Sequence, residues 1–473
     1  MQPDTATAVS ERSLIDQAFT RASGAERTEG NRVRLLRDAA ENYPAWQAAI
    51  ALAERYIYFE SYIIRDDATG RRLADALSDR ARAGVKVRLL YDWVGALGKT
   101  SGRYWQSLSD AGVEVRCFNP FRFASPLGWV RRNHRKSLVV DGRVGFVTGL
   151  CVGDEWVGDA ARGIAPWRDT GIEVEGPAVR DIERAFADAW SLTGAPIPDG
   201  ERRRGRPGPA GGVAMRVVAS EPNRAELLLI DQLVASAARE TLWLADAYYA
   251  GVPSHVQALC SAAKDGVDVR LLLPGTTDLP VVRTISRAGY RPLLEAGVRI
   301  FEWSGTMLHS KTAVADGRWA RVGSSNLNVA SWLANYELDA VIEDAAFAET
   351  MSRQYEDDLE NSTEVLLGVA RPRWWGRRVR RRGRAGRAAV VGIRLGNTLT
   401  AAATSHRALA AQEAGIVAGA GAAAMAAAAL AVLWPRLFAL PFAALMLWLG
   451  GALLGRAWRL RHDQGARGPG GEG

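Results

Sequence analysis

The most regular hydrophobic pattern in the chain occurs twice. The segment ARAGVKVRLLYD, which ends at Asp92, recurs as AKDGVDVRLLLP, which ends at Pro274. Each segment follows a stretch with apolar residues at helical spacing and contains a short apolar run, VxVRLL. This change of period predicts an amphipathic helix followed by a buried strand.

Two further pairs of segments extend the repeat. An alternating strand pattern over residues 55–62 matches residues 240–248, and both end on an acid and an aromatic residue. Later, residues 111–118 match residues 296–303, and all matches keep the same order at offsets of 182 to 186 residues. We therefore predict an internally duplicated α/β protein, in which helices flank a largely central sheet.

Composition divides the chain further. Residues 194–212 contain six Gly and four Pro, which is typical of a linker. The predicted organisation is an N-terminal tail over 1–30, a first domain over 31–193, the linker over 194–212, a second domain over 213–370, an Arg-rich juxtamembrane segment over 371–412, a two-helix membrane hairpin over 413–458 and a basic tail over 459–473.

The charge and the hydrophobicity of the C-terminal region indicate a membrane anchor. The net charge is +8, but residues 371–387 carry +9 and residues 388–473 carry +4, so residues 1–370 have a net charge of −5. Residues 414–434 and 437–455 contain no charge, and each stretch is long enough to cross a bilayer. The Arg-rich flanks would place both ends of the hairpin on the cytoplasmic side. A buried helical pair and a solvated charge block are the alternatives.

A polar motif is repeated along with the strands. The spacing H-x-K-x4-D occurs twice, 175 residues apart, as His134, Lys136 and Asp141 and again as His309, Lys311 and Asp316. The chain has five His and five Lys against 55 Arg, so two such His-x-Lys pairs would arise by chance in roughly one chain in a thousand. The retention of lysine indicates that a compact ammonium is needed where a guanidinium fork would not fit.

With these motifs the chain resembles the phospholipase D superfamily. The second motif is followed by GSSN at 323–326, as the family pattern requires, whereas the first is followed by TGLC at 148–151. The likeness covers roughly residues 30–370 and is greatest to bacterial cardiolipin synthases without N-terminal membrane helices, through RNHRKSLVVDGR, GDEW, WRDTGIEVEGPAV, TDLPVVR, VGSSNLN and NYELD. It implies two phospholipase D-like domains with the active site at their interface.

The motif residues suit phosphodiester exchange, which needs a nucleophile, an acid for the leaving alcohol and cations for the nonbridging oxygens. The resemblance implies that His134 forms a phosphohistidine and that His309 is the acid and base, but the near symmetry of the halves leaves the reverse assignment open. Lys136 and Lys311 would hold the phosphoryl oxygens. We expect no cofactor and no metal, because no cluster with metal-ligand spacing is visible.

The carboxylates near the motifs receive different roles. We expect Asp141 and Asp316, the last residues of the motifs, to stabilise the turn after each motif strand rather than to react. Each histidine needs its second ring nitrogen anchored. The resemblance implies that Asp169 and Glu337 orient the motif histidines; they lie 35 residues after His134 and 28 after His309, respectively.

The resemblance also implies a phosphate-binding role for Ser324 and Asn326. In the first half Cys151 stands where the family has the asparagine, so that role does not carry over there.

Lipid is the favoured substrate, because the predicted hairpin tethers the chain and a body of net charge −5 does not favour nucleic acid. We expect phosphatidyl transfer between two phosphatidylglycerol molecules to give cardiolipin and glycerol. The enzyme would act as a monomer at the bacterial inner (cytoplasmic) membrane, with its catalytic body on the cytoplasmic side. Alternatives are a phospholipase D-type hydrolase, another phosphatidyltransferase with an acceptor such as ethanolamine, a membrane-tethered nuclease, and a non-catalytic lipid-binding protein.

Overall fold

The computed structural model describes residues 16–121 and 131–367, the strand His406–Leu409 and a few single positions beyond residue 424. The predicted Arg-rich segment, apart from that strand, and nearly all of the predicted hairpin lie outside these residues. Among the described helices, none is both long and apolar enough to cross a membrane. The chain divides into two compact units, Met1–Phe118 with Arg131–Ala410, and Asn119–Val130 with Ala411–Gly473. The first unit contains both predicted domains except residues 119–130.

The first half of the body consists of β1 to β7 and α1 to α6. Its strands are β1 (Thr28–Arg37), β2 (Tyr56–Ser61), β3 (Lys86–Asp92), β4 (Glu114–Phe118), β5 (Ser137–Val140), β6 (Val144–Thr148) and β7 (Thr170–Glu175). Its α-helices are α1 (Asp38–Ala51), α2 (Ala68–Arg82), α3 (Trp93–Ala96), α4 (Gly102–Asp110), α5 (Asp154–Val157) and α6 (Val179–Ser191).

The second half repeats this order. Its strands are β8 (Val213–Ser220), β9 (Thr241–Ala245), β10 (Asp268–Pro274), β11 (Arg299–Trp303), β12 (Thr312–Ala315), β13 (Trp319–Gly323), β14 (Glu337–Glu343) and β15 (Ser362–Leu367), and β16 (His406–Leu409) follows. Its α-helices are α7 (Glu226–Ala237), α8 (Pro253–Lys264), α9 (Pro280–Ala288), α10 (Tyr290–Glu295), α11 (Val329–Leu333) and α12 (Ala345–Glu360).

The described strands form one sheet whose order shows the duplication directly. From the centre outward, one side runs β1-β7-β6-β5-β2-β3-β4 and the other runs β8-β14-β13-β12-β9-β10-β11, followed by β15 and β16. The two halves meet where β1 pairs antiparallel with β8. An antiparallel junction between two copies of one arrangement relates them by an approximate twofold axis. The predicted duplicated α/β fold is thereby confirmed.

Helices cover both faces of the sheet. One apolar cluster extends across both halves and includes Phe186 and Trp190 of α6 together with Met351 and Tyr355 of α12. On the other face each half has a cluster of its own. Because burial of apolar side chains drives folding, the shared cluster joins the halves into one unit.

The N-terminal segment and the linker are more structured than their composition indicated. Residues 16–23 are helical, and β1 begins at Thr28, within the segment predicted as a tail. In the linker, Glu201 accepts a hydrogen bond of 2.8 Å from the hydroxyl of Tyr58, and Arg206 forms an ion pair of 2.6 Å with Asp181. These contacts tie the linker to the first half.

The two motif aspartates lie at the edge of the sheet where β2 and β9 begin. Both have left-handed backbones, with φ of +54° at Asp141 and +49° at Asp316. The Asp141 carboxylate accepts hydrogen bonds of 2.8 to 2.9 Å from the backbone N–H groups of Glu54, Arg55 and Tyr56. The Asp316 carboxylate accepts equivalent bonds of 2.8 to 2.9 Å from Arg239, Glu240 and Thr241.

A substitution separates a structural from a catalytic role for these aspartates. We expect Asp141→Ala to lower the free energy of unfolding by about 1–3 kcal/mol, because three backbone donors lose their acceptor. At a temperature where the variant is folded, its turnover should match that of the wild type. Denaturant unfolding and turnover per folded molecule are the measurements, with Asp79→Ala, an exposed carboxylate, as the control. A loss of turnover by orders of magnitude in the folded variant would make Asp141 catalytic.

Candidate active site

The two motif histidines lie together at the other edge of the sheet. His134 precedes β5 and His309 precedes β12. Strand β5 runs antiparallel to β2, and β12 runs antiparallel to β9. The histidines are therefore placed beyond the carboxyl ends of β2 and β9. Both side chains are buried among the described residues, with His134 8% and His309 3% exposed.

Backbone hydrogen bonds connect each motif to the other half. The N–H of His134 donates to the carbonyl of Tyr336 at 2.9 Å, and the N–H of His309 donates to the carbonyl of Arg168 at 2.7 Å. Tyr336 and Arg168 immediately precede the two acids that were expected to orient the histidines. The same backbone contacts therefore bring each acid to the histidine of the opposite half.

The histidine–acid pairs cross between the halves. Nδ1 of His134 lies 2.8 Å from Oε2 of Glu337, and Nδ1 of His309 lies 2.6 Å from Oδ2 of Asp169. An ionised carboxylate can only accept a hydrogen bond, so Nδ1 carries the proton in both rings and Nε2 is the reactive nitrogen. The sequence placed each acid after the histidine of its own half, and that order does not reveal the crossed pairing.

Burial sets the protonation states of the pairs. Burial and the Lys311 ammonium together lower the pKa of His309 to about 4, against the opposing effect of Asp169. Burial also lowers the pKa of His134. Burial alone would raise the pKa of Asp169 and of Glu337, but the facing histidine and a nearby lysine hold both below their usual values. Each pair is therefore a neutral imidazole that donates to an ionised carboxylate.

Both motif lysines are buried beside the histidines. Lys136 and Lys311 are each 1% exposed, and the Nζ of each donates to the backbone carbonyl of the histidine two residues before it. Burial lowers the pKa of Lys311 to about 8, and the charge of Lys136 contributes to this shift. Two buried ammonium groups that feel each other's charge form a binding site for an anion, because an anion would offset their burial.

Aromatic rings close the sides of the site. The ring of Tyr62 is 4.9 Å from that of His134, and the ring of Tyr248 is 5.9 Å from that of His309. The ammonium groups of Lys136 and Lys311 lie 5.5 and 5.8 Å from the centroids of the same two tyrosines. These tyrosines were not among the predicted site residues, although the repeated acid and aromatic residue after β2 and β9 was their signal.

The two orienting acids are held by different second donors. Ser324 Oγ donates to Oε2 of Glu337 at 2.5 Å, whereas the indole Nε1 of Trp156 donates to Oδ2 of Asp169 at 3.0 Å. Gly149 occupies the position that corresponds to Ser324, and a Cβ there would lie 2.2 Å from Oδ1 of Asp169. The indole thus replaces the hydroxyl in the first half. Trp156 lies in GDEW, one of the stretches that carry the family resemblance, but that resemblance implied no role for it.

The predicted phosphate-binding residues have partners of their own. The Ser324 hydroxyl also accepts a bond of 2.9 Å from the N–H of Leu338, so its side chain connects the acid to the backbone of β14. Asn326 is 4% exposed, and its Oδ1 has no hydrogen-bond partner among the described residues. Cys151 is buried in the apolar cluster of the first half. A phosphate-binding role stays a prediction for both Ser324 and Asn326.

Two buried arginines fasten the site to both halves. Arg135 donates to the backbone carbonyls of Glu337 at 3.1 Å and of Ser220 at 3.1 Å. Arg168 forms a two-pronged ion pair with Asp358 of α12, at 2.7 and 2.8 Å. In the described part of the chain, no three His, Cys, Asp or Glu side chains are grouped so that they could hold a metal ion.

Comparison with known proteins identifies the family. The family model described as cardiolipin synthase, PLD-like domain, matches residues 46–152 and 230–359. Each matched region contains one H-x-K motif. The chain belongs to this family of the phospholipase D superfamily. It is an enzyme of the phospholipase D type.

Similar proteins cover most of the same region. The chain is 36% identical over 353 residues to a cardiolipin synthase of Alkalihalophilus pseudofirmus, which covers 72% of this chain and 68% of that protein. It is 36% identical over 339 residues to cardiolipin synthase 2 of Bacillus anthracis, covering 70% of this chain and 65% of that protein. The chain thus spans about two thirds of the length of these relatives. The crystal structure of a phosphatidylserine synthase of Haemophilus influenzae Rd KW20 has the same fold, with a TM-score of 0.57, 12% identity, and coverage of 74% of this chain and 91% of that one.

The donors to the orienting acids can be tested as a matched pair. We expect Trp156→Phe, which keeps a ring beside His309, and Ser324→Ala to lower kcat about tenfold each, since a hydrogen bond to a charged group is lost. KM and the unfolding midpoint should change little. Turnover of a phosphodiester is the measurement, with Trp105→Phe on α4 as the control. Unchanged kcat in both variants would show that these donors do not position the acids.

The pKa of Lys311 predicts a pH dependence. Because its pKa is lowered to about 8, the ammonium loses its proton as pH rises through that value, and the hold on an anionic substrate weakens. We therefore expect kcat/KM to fall above pH 8. In Lys311→Arg any residual activity should keep its level there, because arginine stays charged. A wild-type profile that is flat to about pH 10, the ordinary range of lysine, would contradict this assignment.

Proposed function

We propose that the chain is a phosphatidyltransferase that converts two phosphatidylglycerol molecules into cardiolipin and glycerol. The observation that carries the proposal is the pair of crossed histidine–acid contacts with two buried lysines beside them. Together they supply a nucleophile, an acid and base, and cations, which are the groups that phosphodiester exchange requires. The names of the relatives, cardiolipin synthases, support the choice of product.

In the first step, Nε2 of His134 attacks phosphorus of the first phosphatidylglycerol. The bond from phosphorus to the headgroup oxygen breaks, and His309 gives its proton to the departing glycerol. His309 is neutral in the free enzyme, so it takes up this proton when the anionic substrate binds and raises its pKa. Glu337 stabilises the positive ring of the phosphohistidine through Nδ1–H.

In the second step, the glycerol hydroxyl of the second phosphatidylglycerol gives its proton to His309 and attacks phosphorus. The bond from phosphorus to His134 breaks, and cardiolipin leaves. Lys136 and Lys311 bind the nonbridging oxygens in both steps, so charge that develops there meets fixed cations without reorganisation. Because the two halves are nearly symmetric, the reverse assignment is the alternative: His309 would then be the nucleophile and His134 the acid and base.

The location of the enzyme follows from the same proposal. The uncharged stretches 414–434 and 437–455 would form a membrane hairpin, and the Arg-rich residues 371–387 would lie at an anionic cytoplasmic surface of the inner membrane. A catalytic body with a net charge of −5 is poorly suited to nucleic acid. Both histidines, both lysines and both orienting acids come from one chain, which supports activity as a monomer.

The reaction can be tested with the full-length protein in phosphatidylglycerol vesicles. We expect cardiolipin and glycerol in equal amounts, measured by mass spectrometry and an enzymatic glycerol assay. Phosphatidic acid as the sole product would make the enzyme a hydrolase. A phosphatidyl product with another added alcohol, such as ethanolamine, would change the acceptor, and cleavage of an oligonucleotide that is lost in His134→Ala would establish a nuclease.

Variants of the two histidines distinguish their roles within this experiment. His134→Asn should form no covalent adduct and lose turnover by several orders of magnitude. His309→Asn should still be labelled by a substrate with a p-nitrophenol-type leaving group, which needs no proton to depart. Trapping of the adduct in His134→Asn but not in His309→Asn would reverse the assignment.

A further inference from the structure

Large apolar side chains are exposed at the edge of the sheet where the histidines lie. Six of them follow strand ends at this edge, and we call them the apolar rim: Leu97, Val157, Ile164, Leu279, Val281 and Ile285. Val281 is 71% and Leu97 58% exposed. Exposed apolar residues that are grouped on one side of a protein indicate an interaction surface, whereas scattered ones do not.

In the second half, contacts connect the rim to His309. The Tyr248 hydroxyl, whose ring faces His309, donates to Asp278 at 2.9 Å, and Leu279 of the rim is the next residue.

Rim residues of the first half adjoin both histidines. Val157 follows Trp156, whose ring centroid is 5.4 Å from that of His309. Ile164 lies three residues before Trp167, whose ring is 5.6 Å from the same histidine. Leu97 follows α3. Gly95 of α3 packs against the backbone carbonyl of Tyr62, and a Cβ at position 95 would lie 1.8 Å from that carbonyl oxygen. Since the ring of Tyr62 contacts His134, residues next to the rim contact both histidines.

Helix α9 exposes its apolar face, unlike an ordinary surface helix. Its exposed residues Val281, Ile285 and Ala288 share one face, at spacings of four and three residues. Its arginines turn toward the protein instead: Arg287 pairs with Glu302 at 2.7 Å, and Arg283 donates to a backbone carbonyl at 3.0 Å. A helix that meets water normally presents its charges outward. This helix presents its apolar face.

We propose that the apolar rim docks onto the surface of a phospholipid bilayer, so that lipid headgroups reach the histidines while the acyl chains stay in the membrane. This inference rests on the proposed function, since only a lipid substrate requires such contact. A protein seated on the rim would cover the approach to the histidines, whereas a bilayer carries the substrate on its own surface. Helices that lie in the interface bury an apolar face at the level of the headgroups.

A fluorescent label locates the rim in the full-length protein bound to phosphatidylglycerol vesicles. In a Cys117→Ser, Cys260→Ser background, an environment-sensitive dye is placed at Ile285→Cys or at Leu52→Cys. Leu52 is the matched control, because it is apolar, 78% exposed and lies just before β2, at the opposite edge. We expect quenchers carried on acyl chains to quench the dye at position 285 severalfold more than at position 52. Equal and weak quenching at both positions would overturn the proposal.

The activity of polar variants provides the second measurement. Val281→Gln with Ile285→Gln should lower the rate on phosphatidylglycerol vesicles about tenfold, because less apolar area enters the bilayer. The rate on a soluble phosphodiester with a p-nitrophenol-type leaving group should be unchanged, which also shows that the variant is folded. Leu52→Gln should affect neither rate. Equal losses on both substrates would overturn the proposal.

The outcomes distinguish this inference from the proposed function. Normal formation of cardiolipin with an unquenched dye at position 285 would remove the rim as a docking surface and leave the proposed function in place. A quenched dye without any cardiolipin would keep the bilayer contact and refute the proposed reaction. A disulfide between two copies through Ile285→Cys, together with an unquenched dye, would assign the rim to a second copy and overturn the proposal.

Discussion

The crossed pairing of histidines and acids is the contact on which the rest of the site depends. His134 is oriented by Glu337 and His309 by Asp169, so neither half contains a complete site. The backbone bonds next to these pairs run between the halves in the same crossed way. Duplication alone would produce two separate incomplete sites. The antiparallel junction of β1 and β8 turns them toward each other and makes one site from them.

Burial of charge explains why this interface must be tightly built. Lys136, Lys311, Asp169 and Glu337 are almost fully buried, and a buried charge is costly unless it is paired and hydrogen-bonded. The carboxylates have a histidine and a second donor each, whereas each lysine has a backbone carbonyl and a nearby tyrosine ring. Among the described residues neither lysine has a carboxylate as a hydrogen-bond partner, so both ammonium groups can meet an anionic phosphodiester in the proposed reaction.

The sequence was sufficient for the duplicated α/β fold and for the histidines, lysines and acids that the structure brings together, but not for the pairing of histidines with acids or for the tyrosines and Trp156 beside them. Repeated strands and H-x-K spacings depend on residues that are close together in the sequence, so both can be predicted from the sequence. Which acid meets which histidine depends on how the halves join at β1 and β8, and no local pattern records that junction. Trp156 illustrates a second limit. Its indole does the work that the Ser324 hydroxyl does in the second half, but the two residues do not occupy equivalent positions in the repeat, so aligning the halves does not reveal Trp156.

The two halves differ in the residues that contact the two histidines. A strictly symmetric site would give both histidines the same pKa and the same affinity for phosphorus, and either could react. Here a shorter acid with an indole donor faces His309, while a longer acid with a hydroxyl donor faces His134. Two further rings, of Trp156 and Trp167, contact His309 alone. Because these differences all adjoin the histidines, divergence after duplication has acted on the groups that would separate a nucleophile from an acid and base in the proposed reaction.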